Sequence, residues 1–375
     1  MRSGIVRRFT KRFLIVVNVI AALLFMLSCY AYLFNQEKFW YLGFLTLGSF
    51  FLLLIVLGFL ILWLFTRPLI SIISVVALLI CLSPLQQLFA INFSDHFETR
   101  KEEKALRIMT WNVEHFKILQ HKDHPEIKTE MLQLIQDYAP DIACFQEMVG
   151  SNAFSDAINY LPAMARSLDM PYMHYAYNPK LDFDSKHHFG LIVFSKWPIV
   201  QQQMVSTPPY DYNNIFQYVD IVKQEDTVRV FNAHLQSLKF NQENLNYLEE
   251  PLEKETKNLK KSYGVLQKFK MGFIKRQRQA DIIAASIAES PYPSILCGDF
   301  NDVPNSYSYY TIGKNMQNAF AAKGAGLGRT FLSFSPTLRI DNVFYSPAFE
   351  ALQYERPFRK LSDHLPVIVD LKLKN

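Results

Sequence analysis

Cysteine is scarce in this chain of 375 residues: Cys29, Cys81, Cys144 and Cys297 are the four, and no pair has the spacing of a zinc cage or a disulfide framework. Cys29 and Cys81 lie inside apolar runs and Cys144 and Cys297 inside short β-like segments. They read as small core residues and leave the redox compartment open. Internal repeats and low-complexity tracts are also lacking. Excess charge is missing from most of the chain as well. Residues 1–100 carry eight Lys or Arg against three Asp or Glu, leaving 31 of each sign beyond, so the formal +5 belongs to the N-terminal portion. The remainder has no broad basic field of the kind non-specific nucleic-acid binders carry, and any positive patch on it must be local.

Apolar length, by contrast, is abundant at the start. Three runs, 13–34, 39–65 and 68–91, are each about as long as the ~20 residues that cross a hydrocarbon core, and they are separated only by Asn35-Gln36-Glu37-Lys38 and Thr66-Arg67-Pro68. We expect three spanning helices within an anchor of residues 1–93, then a linker over 94–104. A cleaved signal peptide would explain only the first run, and a buried soluble hairpin would need an amphipathic stripe that is not there. Arg2, Arg7, Arg8, Lys11 and Arg12 precede the first run, so the positive-inside bias keeps the N-terminus cytoplasmic. Three crossings would put the rest of the chain outside, although Arg100, Lys101, Lys104 and Arg107 pull the other way.

From residue 105 to 375 the pattern changes. Short β-like stretches at 106–112, 142–146, 190–195, 218–222, 228–234, 294–297, 340–345 and 367–371 alternate with helical spacing at 128–138 and 277–288. This is an α+β or layered α/β pattern with many strands. The stretch 243–278 departs from it, being long, charged and helix-favouring. Lys254 to Arg278 holds nine basic residues and one acidic, with Tyr263, Leu266, Phe269, Phe273 and Ile274 interleaved. Such a face could meet anionic lipid or a polyanionic substrate. Charge runs are more often a solvated helix covering a core.

Polar residues collect at the predicted strand ends, where a sheet presents side chains to a cleft. Asn112 and Glu114 share a side by period-2 alternation, as do Asp299 and Asn301. An apolar strand ends in Glu147, whose carboxylate would be costly to bury unless paired or metal-bound. His234 ends another strand, and Asp341, Asp363 and His364 lie near the C-terminus. Singly, each has a plain explanation as a turn or cap residue.

In chain order, TWNVE, CFQE, GLIVFSKWPI, FNAHL, CGDFND, RIDNVFYS and SDHLPV together resemble the endonuclease/exonuclease/phosphatase superfamily over about residues 105 to 373. The resemblance implies a four-layered α/β sandwich of two packed, mostly antiparallel sheets flanked by helices. It implies Glu147 as the principal metal ligand, with Asn112, Glu114 and Asp363 near the metal or one water away. All are oxygen donors, which suits Mg²⁺ with Mn²⁺ as a substitute. It further implies His364 as base or phosphate ligand with Asp341 fixing its tautomer, and Asp299 orienting or deprotonating the attacking water. Asn301 and Asn112 would hold the phosphoryl oxygens, and His234 would stabilise the transition state or protonate the leaving oxygen. Arg276 and Gln279 match a family helix in a structural capacity. FNAHL supplies a histidine where abasic-site endonucleases carry a tyrosine, which moves weight toward the deoxyribonuclease, sphingomyelinase and phosphatase branches.

The expected activity is metal-assisted hydrolysis of a phosphate ester, with nucleic acid or phospholipid as substrate, at an extracytoplasmic membrane face. The expected partners are the bilayer and that substrate, with no obligate protein partner. A binding or sensor module that has lost catalysis on the same fold is the alternative.

Overall fold

The computed structural model describes residues 2–92, 97–151, 158–178, 186–207, 215–238 and 257–374, and the side chains of all of these but residues 2–4 and 257–262. Among the described residues fourteen strands follow the chain: β1 (Ala90–Ile91), β2 (Leu106–Asn112), β3 (Ile142–Ser151), β4 (Tyr172–Tyr177), β5 (His187–Ser195), β6 (Ile199–Ser206), β7 (Ile215–Lys223), β8 (Asp226–His234), β9 (Ser294–Asp299), β10 (Gln317–Asn318), β11 (Ala325–Gly326), β12 (Asp341–Tyr345), β13 (Phe349–Glu355) and β14 (Val367–Leu373). Two six-stranded sheets form, ordered β10-β12-β9-β8-β7-β6 and β13-β14-β2-β3-β5-β4. Most neighbours are antiparallel, whereas β2–β3 and β8–β9 are parallel.

Side-chain alternation explains the layering. One parity of each strand, including Ile108, Cys144, Val193, Val230, Cys297, Val343 and Val367, builds the apolar filling between the sheets. The opposite parity faces outward under helices. Met109, Trp111, Phe145 and Phe194 meet Met131, Leu134 and Ile135 of helix Pro125–Tyr138. On the other side, Phe216, Phe231, Leu296 and Phe344 meet Ala280 and Ile283 of helix Lys257–Ala288 and Tyr309 and Ile312 of helix Tyr307–Ile312. The four-layered sandwich is therefore present. Burying one such large side chain contributes about 1.5–3 kcal/mol. At the far end of the strands from Asn112, the Arg107 guanidinium bridges Asp370 through bonds of 2.7 and 2.8 Å, fully buried, and locks β2 to β14.

Among the described residues, the N-terminal region departs from three straight spans and leaves the third as a bent pair. Two helices are long and apolar enough to cross a membrane, Ile5–Cys29 and Ser49–Thr66. The third run forms Pro68–Ile80 and Leu82–Leu88, bent by 66° at the break, so it is no straight spanning helix. Neither is the second run one helix. Gln36–Phe39 and Leu42–Leu47 precede Ser49–Thr66, because Asn35 caps a new helix through the Glu37 N–H and Gly48 interrupts the next. The linker is also stitched down where it is described: the Glu98 N–H donates to Gln353 Oε1 at 2.9 Å and the Thr99 carbonyl accepts from Arg107. Residues 94–96 of that linker, and 243–256 of the charged stretch, lie outside the described residues.

Candidate active site

The polar residues at the strand ends continue the parity that fills the space between the sheets. Asn112 follows Ile108, Asn232 and His234 follow Val230, Asp299 follows Cys297, and Asp341 precedes Val343. Each therefore points into the gap between the sheets, at the end where that gap opens. The two parallel pairs bring their carboxyl ends here, which is where open sheets leave a crevice. In the β8–β9 register His234 lies opposite Asp299, and β12 sets Asp341 opposite Asp299 on the other side. Gly298 makes the β8–β9 approach feasible. Its φ is +153°, and a Cβ there would lie 2.0 Å from the Ala233 carbonyl oxygen.

Asp299 Oδ2 is the point of convergence. It accepts from Asn112 Nδ2 at 3.1 Å and Asn301 Nδ2 at 3.2 Å, with His234 Nε2 at 3.6 Å and His364 Nε2 at 3.7 Å. His364 uses its other nitrogen, Nδ1, against Asp341 Oδ2 at 2.8 Å, the contact that fixes a ring and its tautomer. Phe331 packs against the imidazole with ring centroids 4.9 Å apart. Glu147 borders the same space, with Oε1 3.6 Å from His234 and Oε2 3.7 Å from His115. Asp363 completes the rim, its side chain 43% exposed and its Oδ1 4.0 Å from His364 Nε2.

The site thus gathers Asn112, Glu147, His234, Asp299, Asn301, Asp341, Asp363 and His364. Glu114 is turned to another use. Its Oε2 accepts from the Asp363 N–H at 2.9 Å and pairs with Lys117 at 2.5 Å, so it braces the Asp363 loop. The alternation argument for Glu114 and Asn301 does not carry through, because β2 ends at Asn112 and β9 at Asp299. Glu114, Asn301 and Glu147 instead have φ of +44°, +50° and +52°, and Glu147 sits in a break of register between Phe145 and Met148. Left-handed backbone at non-glycine residues costs about 1–3 kcal/mol each, a strain found where function demands a placement.

Several further residues support the site, Thr330 among them with no signal in the sequence. Gln146 donates to Asn232 Oδ1 at 2.7 Å, and Asn232 Nδ2 reaches the Phe145 and Ile192 carbonyls, so this buried pair ties the sheets together beneath the site. Thr330 Oγ1 accepts from the Ile340 and Asp341 N–H groups. Ser362 Oγ donates to the Asn112 carbonyl at 2.8 Å. Arg276 reaches the Gln236 carbonyl and Asp302, while Gln279 accepts from the Gln236 N–H, so both steady the loop after His234.

Electrostatics follow from packing so many carboxylates together. Burial, then the neighbouring Asp363 carboxylate, push the Glu147 carboxyl up to about 7. Burial also raises Asp299, with Asp341 adding to it and His364 opposing. For His364 burial favours the neutral ring, yet Asp341, Asp299 and Asp363 outweigh it and hold the imidazolium well above its ordinary 6.5. A cation would relieve this crowding. Asp341 Oδ1 is buried without a hydrogen-bond partner, and Asp299, Asp341 and His364 offer ligand atoms all within 4.8 Å of one another. Because the closest of those contacts is already the His364–Asp341 hydrogen bond, the oxygens of Glu147, Asn112 and Asp363 are the better-suited hard donors. The residues fit a divalent cation of the oxygen-preferring kind.

Comparison with known proteins agrees with this fold. The Endonuclease/Exonuclease/phosphatase family model matches residues 109–364. A Domain of unknown function (DUF8431) matches residues 11–88. No curated protein matches the sequence. Among solved structures, an endonuclease/exonuclease/phosphatase from Beutenbergia cavernae is 20% identical over 73% of this chain and 72% of its own, with a TM-score of 0.51. One from Bacteroides vulgatus is 18% identical over 72% of this chain and 100% of its own, with a TM-score of 0.50.

Proposed function

Since the chain belongs to the endonuclease/exonuclease/phosphatase family, we propose that it is a divalent-metal-dependent hydrolase of phosphate esters, held at a membrane by its N-terminal helices. The observation that carries this reading is the convergence of Asn112, Asn301, His234 and His364 on one oxygen of Asp299, with Glu147 beside them.

Each residue then has a task. Asp299 accepts the proton of the attacking water or orients that water toward phosphorus, in hydrogen-bond reach of the cleft. His364, charged and fixed by Asp341, stabilises a phosphoryl oxygen; only its neutral form would share the base role. Asn112 and Asn301 donate amide N–H groups to the phosphoryl oxygens; their hydrogen bonds to Asp299 Oδ2, which keep both amides beside the cleft, support this. His234 lies between Glu147 and Asp299, suited to the leaving oxygen. Glu147, with Asn112 and Asp363, would hold the cation, which when bound neutralises charge developing on the phosphoryl group. Mg²⁺ is the proposed ion, with Mn²⁺ as a substitute.

We also propose that the catalytic domain lies outside the cytoplasm. In support, the segment between the two apolar helices contacts the catalytic domain; if Ser49–Thr66 returns Arg67 to the side of the basic N-terminus, the bent run Pro68–Leu88 would carry the chain back across. The test of activity uses the full chain in detergent on chromogenic phosphate mono- and diesters. We expect turnover with Mg²⁺ or Mn²⁺, none with EDTA, and a loss of at least about 10²-fold in Asp299→Ala. Equal rates for wild type and Asp299→Ala would remove the assignment.

A further inference from the structure

The helix Lys257–Ala288 touches both the anchor and the catalytic loops within about three turns. Toward the anchor, Gln277 Oε1 accepts the Gln36 N–H, Arg278 pairs with Glu37 at 2.7 Å, and Phe44 packs on Phe269 and Phe273 with centroids at 5.1 and 5.6 Å. Gly43 leaves the space that the Phe273 ring fills, since a Cβ would meet it at 2.6 Å. Toward the site, Lys275, Arg276 and Gln279 bond Gln236, and Arg276 bonds Asp302. Those two loops follow His234 and Asn301. Those loops are thus separated from the anchor's turn by about one helix diameter, roughly 10 Å.

A second grip comes from the third apolar run. Gln87 accepts from the Tyr309 hydroxyl at 3.0 Å, and its carbonyl accepts from Arg339, two residues before Asp341. Tyr32 stacks on Tyr310 with centroids 3.7 Å apart. Two separate parts of the anchor therefore hold the catalytic domain, and its distance from the spanning helices is not set by a flexible tether.

The same helix leaves one stripe outward. Tyr263, Leu266 and Met271 are 63%, 39% and 46% exposed, and Lys270 and half-buried Ile274 fall between them at helical spacing. Lys270 lies over the Trp40 ring at 5.5 Å, and Phe39 and Tyr41 of the neighbouring anchor segment are exposed too. Apolar and aromatic side chains with a lysine among them are the composition of a helix lying in the headgroup layer. Continuity with the spanning helices names the occupant as the bilayer.

We propose that helix Lys257–Ala288 lies in the bilayer interface and that the mouth beside it takes phosphate esters displayed by lipid head groups. The substrate part rests on the hydrolase reading above; the bilayer contact does not. Water adds to the head-group phosphorus and one P–O ester bond breaks. The water's proton passes to Asp299, and protonated His234 gives its proton to the departing oxygen, leaving an alcohol and a phosphate product.

The test uses the full chain in vesicles of phosphatidylcholine, phosphatidylethanolamine, phosphatidylglycerol and phosphatidic acid. Because the four native cysteines are buried, Tyr263→Cys takes a fluorescent label selectively. We expect quenching by nitroxides on the acyl chains and protection from aqueous iodide. Quenching by iodide alone overturns the bilayer contact whatever the activity. In the same vesicles, Leu266→Asp with Met271→Asp should lower head-group turnover about tenfold or more while a soluble chromogenic diester is cleaved as before. If wild type cleaves the soluble diester or an oligonucleotide but no head group, the substrate class is overturned and the hydrolase stands. If it cleaves none of them, both fall and the label alone decides the surface.

Discussion

Replacing Glu147 by Gln separates what the carboxylate costs from what it does. Burial and the Asp363 charge raise this carboxyl from an ordinary 4.5 to about 7, and each pH unit of such a rise corresponds to about 1.4 kcal/mol. The folded metal-free protein therefore binds the Glu147 proton more tightly than the unfolded chain does. That proton's contribution to stability is fully present below 4.5 and is lost as the pH rises through about 7. At pH 8 the ionised carboxylate costs up to about 3 kcal/mol, and because its side chain is 18% exposed, water screening brings the expected figure nearer 1–2 kcal/mol, to order of magnitude. Glutamine has the same shape and no charge. In EDTA at pH 8, Glu147→Gln should melt a few degrees above wild type, at about 2 °C per kcal/mol for a chain of this size, and the gap should close toward pH 4.5. With Mg²⁺ at about a hundred times its Kd, wild type should gain about 2.7 kcal/mol and the variant almost none. The measurement is differential scanning fluorimetry of the full chain in nanodiscs across pH, with and without Mg²⁺. An undiminished Mg²⁺ response in Glu147→Gln, or a variant less stable than wild type at pH 8 in EDTA, would refute the placement of the cation.

Three further outcomes follow from other contacts. Asp341→Asn removes the main charge opposing the burial of His364. It should cut kcat about 10²-fold or more with little change in KM, and the ionisation of His364 in the pH–rate profile should move down. Arg107→Leu strands Asp370 in the interior and should cost about 3–5 kcal/mol in thermal or denaturant unfolding, most of it restored by adding Asp370→Leu. Gly298→Ala drives a methyl into the Ala233 carbonyl. It should destabilise the fold by about 3 kcal/mol or more and spoil His234–Asp299 registry, read as a fall in both Tm and kcat. Retention of wild-type Tm by Gly298→Ala would mean that the β8–β9 approach is looser than described.

The legible part of this protein was the part that depends on local pattern. Strand β2 was expected to the residue, the cores of β3, β5, β7, β8, β9 and β14 with shorter ends, and β12 one residue longer than it is, because alternating β-branched and aromatic residues declare a half-buried strand wherever they occur. Strands such as β6 passed unnoticed. Its segment QQQM has no apolar alternation, since it is an edge strand held by backbone pairing to β7. Apolar runs announced the N-terminal helices. They did not reveal that Asn35, Gly48 and Cys81 divide the region, because breaks in an apolar run cost nothing that composition records.

The chain's chemistry was likewise written in residue types: oxygen donors without a cysteine cage and histidines at strand ends, set in seven short motifs. What the sequence determined alone was therefore which strands exist, which face of each is apolar, and which polar groups lie at their ends. Only the tertiary structure decided that those ends meet over Asp299 Oδ2, that Glu114 braces a loop, and that one helix joins anchor to site. The physical reason is range. Periodicity is set by neighbours along the chain, whereas convergence depends on sheet order and register, and the contacts that fix those lie up to 263 residues apart.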